Sequence, residues 1–373
     1  MENEIPNKYI DDIINEIERS IGVTEPINGN NIFSFVRAGK KKDALKLIAF
    51  QLNLPINIYT TEVPDNYQVQ NNSNTFKTRS LSKIRRQGGS DGITAQVHIP
   101  GNLPRFGSSM MNGFPVNIKI CQKLTKNPVV FTLVIAHELS HILLYSLNHP
   151  HKENEFYTDI AAIMSGFLYV FRDGRVITKI DDLIFTDTVR TTTSTYGYLN
   201  DSQFDFAFKK INLLLQNKRR EKVDLEIILS KNLKLLKACE KIIFQFQKFL
   251  KYSWQNPSQK ISENNGVRIS TFFQSGYIDN LVLQMKGYRD KRLIIQNFLK
   301  ELFCYTRQNS KQLLVYSDTI KKDSIEMQSL NVSLKNDLKL LKMYASYGYK
   351  LKVIRSLLFK NNFMDIYKDE FLL

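Results

Sequence analysis

The stretch NPVVFTLVIAHELSHILLYSL, residues 127–147, decides how this chain is read. Asn127 followed by Pro128 marks a helix start. An Asn side chain accepts from the unpaired N–H groups of a first turn, and proline at the first helical position lacks the N–H that would be left over. The apolar run Val129–Leu147 then predicts a buried helix. Inside it, His137, Glu138 and His141 form H-E-x-x-H. Residues at i and i+4 share a helical face, so the two imidazoles converge on one point, the spacing that suits a zinc ion. Glu138 leaves the helix beside them, in reach of a water on that metal.

A catalytic zinc site takes three protein ligands and keeps one position open. The segment NEFYTDIAA (154–162), whose Glu155 stands fourteen residues after His141, reads as a second helix with Glu155 and Asp159 one turn apart on one face. Glu155 can be the third ligand, and Asp159 can accept the second ring N–H of a ligating histidine and fix its tautomer. His149 and His151, which flank Pro150, and Glu153 are competing third ligands. His98, on an expected strand, reads as a structural histidine.

H-E-x-x-H followed by E-x-x-x-D resembles the gluzincin metallopeptidases. The form Glu155, Asp159, Ala162 is similar to the minimal gluzincins of the M48 and ImmA/IrrE type. The resemblance covers about residues 41–174. It implies an α+β fold: a minimal zincin-like metallopeptidase core, made of a small mixed sheet, the H-E-x-x-H helix and the glutamate helix, followed by an all-α C-terminal region. It also implies metal-assisted peptide hydrolysis, in which zinc lowers the pKa of its water towards about 7 and Glu138 takes the proton. Relatives use a downstream His or Tyr for the oxyanion. No histidine follows His151, so Tyr198, with Tyr196 and Arg190 nearby, is the candidate. A peptide substrate would add as a strand to a sheet edge, at Gly92–Pro100 or Pro115–Ile120.

Outward from this centre, Ile10, Ile13, Ile14, Ile17 and Ile21 follow helical spacing, and a second helix is expected over Lys41–Leu52. Strands are expected at Ile56–Thr60, Ile93–Ile99 and Pro115–Ile120. The Asn-, Ser- and Gln-rich stretch 61–91 reads as a long polar loop. Beyond residue 217 apolar residues from Leu225 to Leu250 recur with helical spacing. Further helical stretches are expected near Tyr277–Arg307 and Val332–Leu358, after a polar break at Gln255–Gly266. The expected organisation is an N-terminal helical segment (1–40), a metallopeptidase domain (41–217) and a basic helical domain (218–373).

The chain has 373 residues, 43 % hydrophobic, with a net charge of +16. Residues 1–218 carry 24 basic and 21 acidic side chains, a net +3, whereas 219–373 carry 28 and 15, a net +13. This composition excludes a disordered or collagen-like chain. Lys231, Lys234, Lys237, Lys241, Lys248 and Lys251 read as a solvated helix face. Nucleic acid is a possible but unfavoured partner, because Tyr252, Trp254, Phe272, Phe273, Tyr277, Tyr288 and Arg289 come with no recognition motif. A regulatory protein partner for the helical half and a protein or peptide substrate are expected. Three widely spaced cysteines fit a reducing compartment. The charged N-terminus lacks a signal-like apolar run, and no uncharged segment approaches a membrane span, so the expected location is the cytoplasm.

Overall fold

The computed structural model describes residues 7–64, 75–84, 87–182, 189–250, 271–272 and 276–358. For 75–84, 87–93, 179–182, 189–192, 249–250 and 344–358 it describes the backbone alone. The chain is mixed α+β and divides into two compact units. One comprises Met1–Arg219 and Phe303–Ser310, the other Arg220–Leu302 and Lys311–Leu373.

In the first unit, α1 (Asn7–Ser20) turns Ile10, Ile13, Ile14 and Ile17 inward, all fully buried. The two-residue strand β1 (Val23–Thr24), α2 (Asn30–Arg37) and α3 (Lys41–Gln51) follow. A six-stranded sheet is built from β2 (Asn57–Val63), β3 (Thr75–Ile84), β4 (Gln87–His98), β5 (Pro115–Cys121), β6 (Val176–Asp182) and β7 (Val189–Tyr196). Its order is β2-β5-β4-β3-β7-β6, with β2 and β5 parallel and every other pair antiparallel. Alternation along β5 buries Val116, Ile118 and Ile120, as its period-2 pattern predicts.

Two expectations are corrected here. The stretch 61–91 contains the end of β2, all of β3 and the first part of β4, the last two paired from Thr75↔His98 to Ile84↔Gln87, although 65–74 and 85–86 lie outside the described residues. Its Thr and Ser content hides the strand: TFKTRSLSKI has little apolar alternation, yet threonine fits a pleated sheet. The second correction follows from the first. Neither Gly92–Pro100 nor Pro115–Ile120 is a sheet edge, since β4 lies between β5 and β3, and β5 between β2 and β4. The outer strands are β2 and β6.

Against this sheet lies α4 (Pro128–Ser146), followed by α5 (Glu155–Ala162), a π-turn at Ile163–Phe167 and α6 (Leu168–Gly174). The Asn127 side chain caps α4, accepting from Val129 N at 3.1 Å and Val130 N at 3.3 Å. Gly166 sits in the π-turn at φ 103°, where a Cβ would come within 2.9 Å of the Glu25 carbonyl oxygen, so only glycine fits. Among the described residues α4 is the one helix long and apolar enough, by length and composition, to cross a membrane. Of its apolar window 89 % is buried inside the fold, as in a core helix.

The long helix α7 (Asp201–Leu250) starts in the first unit and continues into the second, which adds α8 (Tyr277–Glu301) and most of α9 (Arg307–Leu358). Between α8 and α9, β8 (Cys304–Tyr305) belongs to the first unit, where it pairs with β1. Nothing in the pattern near 303–310 announces this return. The core of the second unit gathers Cys239, Phe246, Phe272, Met285, Tyr288 and Met327, among others. Phe272 and Tyr288 are therefore buried packing residues, not a stacking surface. Lys231, Lys234, Lys237, Lys241 and Lys248 are exposed, as read from their spacing. Lys251, Tyr252, Trp254, Phe273 and the break at 255–266 lie outside the described residues. All three cysteines are free thiols.

Because Asn127 alone satisfies two amides at the start of α4, Asn127→Ala is expected to destabilise the fold by about 1 kcal/mol and Asn127→Asp by much less. The midpoint of urea unfolding measures both.

Candidate metal centre

Helix α4 carries His137, Glu138 and His141 at full burial, and α5 packs alongside with Glu155 in its first turn. Asn154 starts α5 by accepting from Phe156 N at 2.9 Å. Its amide also donates to Tyr9 Oη (2.9 Å), and Tyr157 Oη donates to Glu16 Oε2 (2.7 Å), so two contacts tie α5 to α1.

Glu155 Oε2 lies 3.1 Å from His137 Nε2 and 3.2 Å from His141 Nε2. One donor atom from each of the three residues falls within 4.8 Å of the others, a group able to hold a metal ion. Ligands at zinc bond lengths of about 2.0–2.1 Å in a tetrahedron stand about 3.3–3.4 Å apart, so the two measured separations are close to what a metal needs.

The tautomers fit as well. His137 Nδ1–H donates to Asp159 Oδ1 at 2.7 Å. The Thr158 hydroxyl donates to the Asn154 carbonyl (3.3 Å), which leaves Thr158 Oγ1 to accept from His141 Nδ1–H at 3.3 Å. Each ring thus places its Nδ1 proton on a fixed acceptor and turns Nε2 towards Glu155, the arrangement that orients histidine ligands. The residues present fit a metal ion.

The competing ligands are elsewhere. His149 Nδ1 accepts from His151 N at 3.2 Å, so the neutral ring carries its proton on Nε2 and has no lone pair there for a metal. Both histidines face Glu16, each 3.9 Å from its Oε1. Glu153 accepts from Tyr145 Oη, and His98 is exposed at the end of β4.

Electrostatics polarise the group. Burial works against a charged His137, but hydrogen bonds to Asp159 and Glu155 outweigh it and hold the ring up to about 10. Burial pushes His141 below its ordinary value. Burial would raise Glu155, but bonds to the two histidines hold it down to about 2.

Several positioning groups had no clear sequence signal. The loop after β7 clamps Asp159, whose Oδ2 accepts from Tyr198 N at 2.6 Å and Leu199 N at 3.3 Å. Gly197, at φ +90°, permits that approach: a Cβ there would stand 3.1 Å from Asp159 Oδ2. The buried Arg175 secures the loop by donating to the Leu199 carbonyl (2.6 Å) and to Asp201, with its guanidinium 4.9 Å from the centre of the Phe204 ring. The Gly in T-Y-G-Y was the one available clue. Glu138 Oε2 accepts from the backbone N–H of Val97 on β4 at 2.9 Å. The Tyr198 ring stacks on His137, centroids 5.5 Å apart and planes 21° apart. Tyr196 closes β7, burial pushing its hydroxyl up, and the Arg190 side chain lies outside the described residues.

Compared with known protein families, curated proteins and solved structures, the chain matches none.

Two outcomes are expected. In metal-free protein His137 is charged at pH 7–9, His141 neutral and Glu155 ionised, so zinc must displace one proton from His137 Nε2. Adding zinc in weak buffer should release about one proton per ion, and affinity should rise about tenfold per pH unit until the pH nears 10. Asp159→Asn, which weakens the acceptor behind His137, should lower zinc affinity about 10–100-fold in a chelator competition.

Proposed function

We propose that the protein is a zinc-dependent endopeptidase with a gluzincin-type centre: His137, His141 and Glu155 hold the metal, Asp159 orients His137, and Glu138 is the catalytic carboxylate. The observation that carries this reading is the convergence of the three donors, with both histidine tautomers set by Asp159 and Thr158. Bound zinc supplies a Lewis acid that polarises a carbonyl and makes water nucleophilic near neutral pH.

The chain's own groups do the rest. Glu138, next to His137 on α4 and tethered at Oε2 by Val97 N–H, accepts the proton of the attacking water and passes it to the leaving amine. The tether restricts the carboxylate to a narrow set of orientations, which favours transfer between fixed positions. The Tyr198 hydroxyl serves the oxyanion as a donor, its ring held over His137. Full burial of Glu138 and both histidines keeps bulk water from the imidazoles and strengthens every interaction there.

The substrate is a specific intracellular protein, cut as a regulatory event in the cytoplasm. The basic helical unit restrains the peptidase or selects that partner. This part of the proposal follows the likeness of H-E-x-x-H…E-x-x-x-D to ImmA-like peptidases. Since β4 and β5 are interior strands, a substrate segment adds to an outer strand of the sheet or binds without strand pairing.

Protein purified without chelators should hold about one zinc per chain, lost in His141→Ala. Glu138→Gln should keep the zinc and reduce cleavage about 10²–10⁴-fold, read as new protein termini in cells expressing wild type but not the variant. Absence of zinc from the purified protein, or full activity in Glu138→Gln, would sink the proposal.

A further inference from the structure

A second feature of the first unit lies outside the metal centre. A cavity of ≈ 530 Å³ is lined by Glu18, Arg19, Lys218, Arg307 and Ser310. Among the described residues, three cations therefore face one space with one carboxylate. They come from three distant parts of the chain: the last turn of α1, the body of α7 and the first turn of α9.

The placement of Arg307 is the informative one. A helix N-terminus carries positive partial charge, so a cation there is unfavourable unless an anion lies nearby. The first turn of α9 contains no acidic residue. It is capped by Thr306 Oγ1, which accepts from Asn309 N at 3.1 Å. Among the described residues neither Arg19 nor Arg307 has a carboxylate within ion-pair distance, although Glu18 lines the same cavity. Lys218 is oriented by donating to Ser310 Oγ at 2.9 Å, which brings a fixed ammonium and a hydroxyl to the same wall.

We propose that this cavity binds a phosphate-bearing small molecule, gripped through a phosphate or diphosphate group by Arg19, Lys218, Arg307 and the Ser310 hydroxyl. Two arginines offer planar, bidentate donors that match phosphate oxygens, and the lysine adds a point charge. A negative ligand offsets the mutual repulsion of the three cations and the exposed positive end of α9. The volume falls in the range of small-ligand sites. Among the described residues no aromatic ring lines the cavity, so the phosphate is what is recognised and a base, where present, is left outside the grip.

The test uses the full chain and requires neither zinc nor peptide cleavage, so its outcome is independent of the proposed protease activity. Calorimetric titrations with inorganic phosphate, pyrophosphate and ATP are run at about 50 mM salt, where screening is modest. One saturable site is expected, tighter for pyrophosphate than for phosphate. Arg307→Ala and Arg19→Ala should each weaken it about tenfold or more, and Arg307→Lys less. Both arginines are exposed and outside the metal group, so the variants should retain wild-type circular dichroism and zinc content. ATP binding no tighter than pyrophosphate confirms that the base is not held. The proposal is overturned if none of the three binds up to about 5 mM, or if equal sulfate displaces them as well, which means an adventitious ion only. It is also overturned if affinity is unchanged in both alanine variants, which places anion binding elsewhere, as on the exposed lysines of α7.

Discussion

One buried carboxylate connects the parts of the first unit that matter for chemistry. Asp159 is 1 % exposed and accepts from His137 Nδ1–H, Tyr198 N–H and Leu199 N–H. A charge in such a place is tolerated only when its lone pairs are filled. The three donors come from two elements, one from the H-E-x-x-H helix and two from the loop that joins β7 to α7, while the acceptor itself stands on α5. The position of the His137 ring is thus coupled to the last strand of the sheet. Arg175, which bonds Leu199 and Asp201, extends the same restraint by another layer.

The surrounding architecture answers the problem of keeping polar side chains in an apolar helix. From Val130 to Leu144 every residue of α4 is buried, including His137, Glu138, Ser140 and His141. Each polar group in that run has a partner close by. Ser140 bonds back to the Ala136 carbonyl, Glu138 takes the Val97 amide, and the two imidazoles share Glu155 between them. Low polarity strengthens such contacts and penalises any that is missing, so the network favours one arrangement of α4, α5 and β4. The ties from α1 to α5 through Tyr9 and Glu16 add a fourth element to that arrangement.

What was legible beforehand follows from how local each signal is. The start of α4 at Asn127-Pro128, the isoleucine stripe of α1 and the alternation of β5 are short-range patterns, and each reappears as an element in the structure. The metal group was legible because i, i+4 spacing on one helix brings two ligands together without knowledge of the fold. The choice of Glu155 over His149 and His151 was not local. It depended on α5 packing beside α4 and on a backbone amide that claims His149 Nδ1. The polar strand β3 was missed because threonine and serine are as common in loops as in strands. That omission left β4 looking like an edge.

The amino-acid sequence by itself determined the helix that carries H-E-x-x-H, the second helix with Glu155 and Asp159, the strands β2, β4 and β5, and the charge contrast between the two halves. These depend on spacing and capping within a few residues. Only the tertiary structure decided which side chain stands beside the two histidines, which backbone amides hold Asp159 and Glu138, and that residues 303–310 return to the first unit beside β1. It also gathered Arg19, Lys218 and Arg307 around one cavity from points nearly three hundred residues apart. Such contacts join segments with no local pattern in common. They form because packing of the whole core brings the segments together, and a short window of sequence carries no record of that.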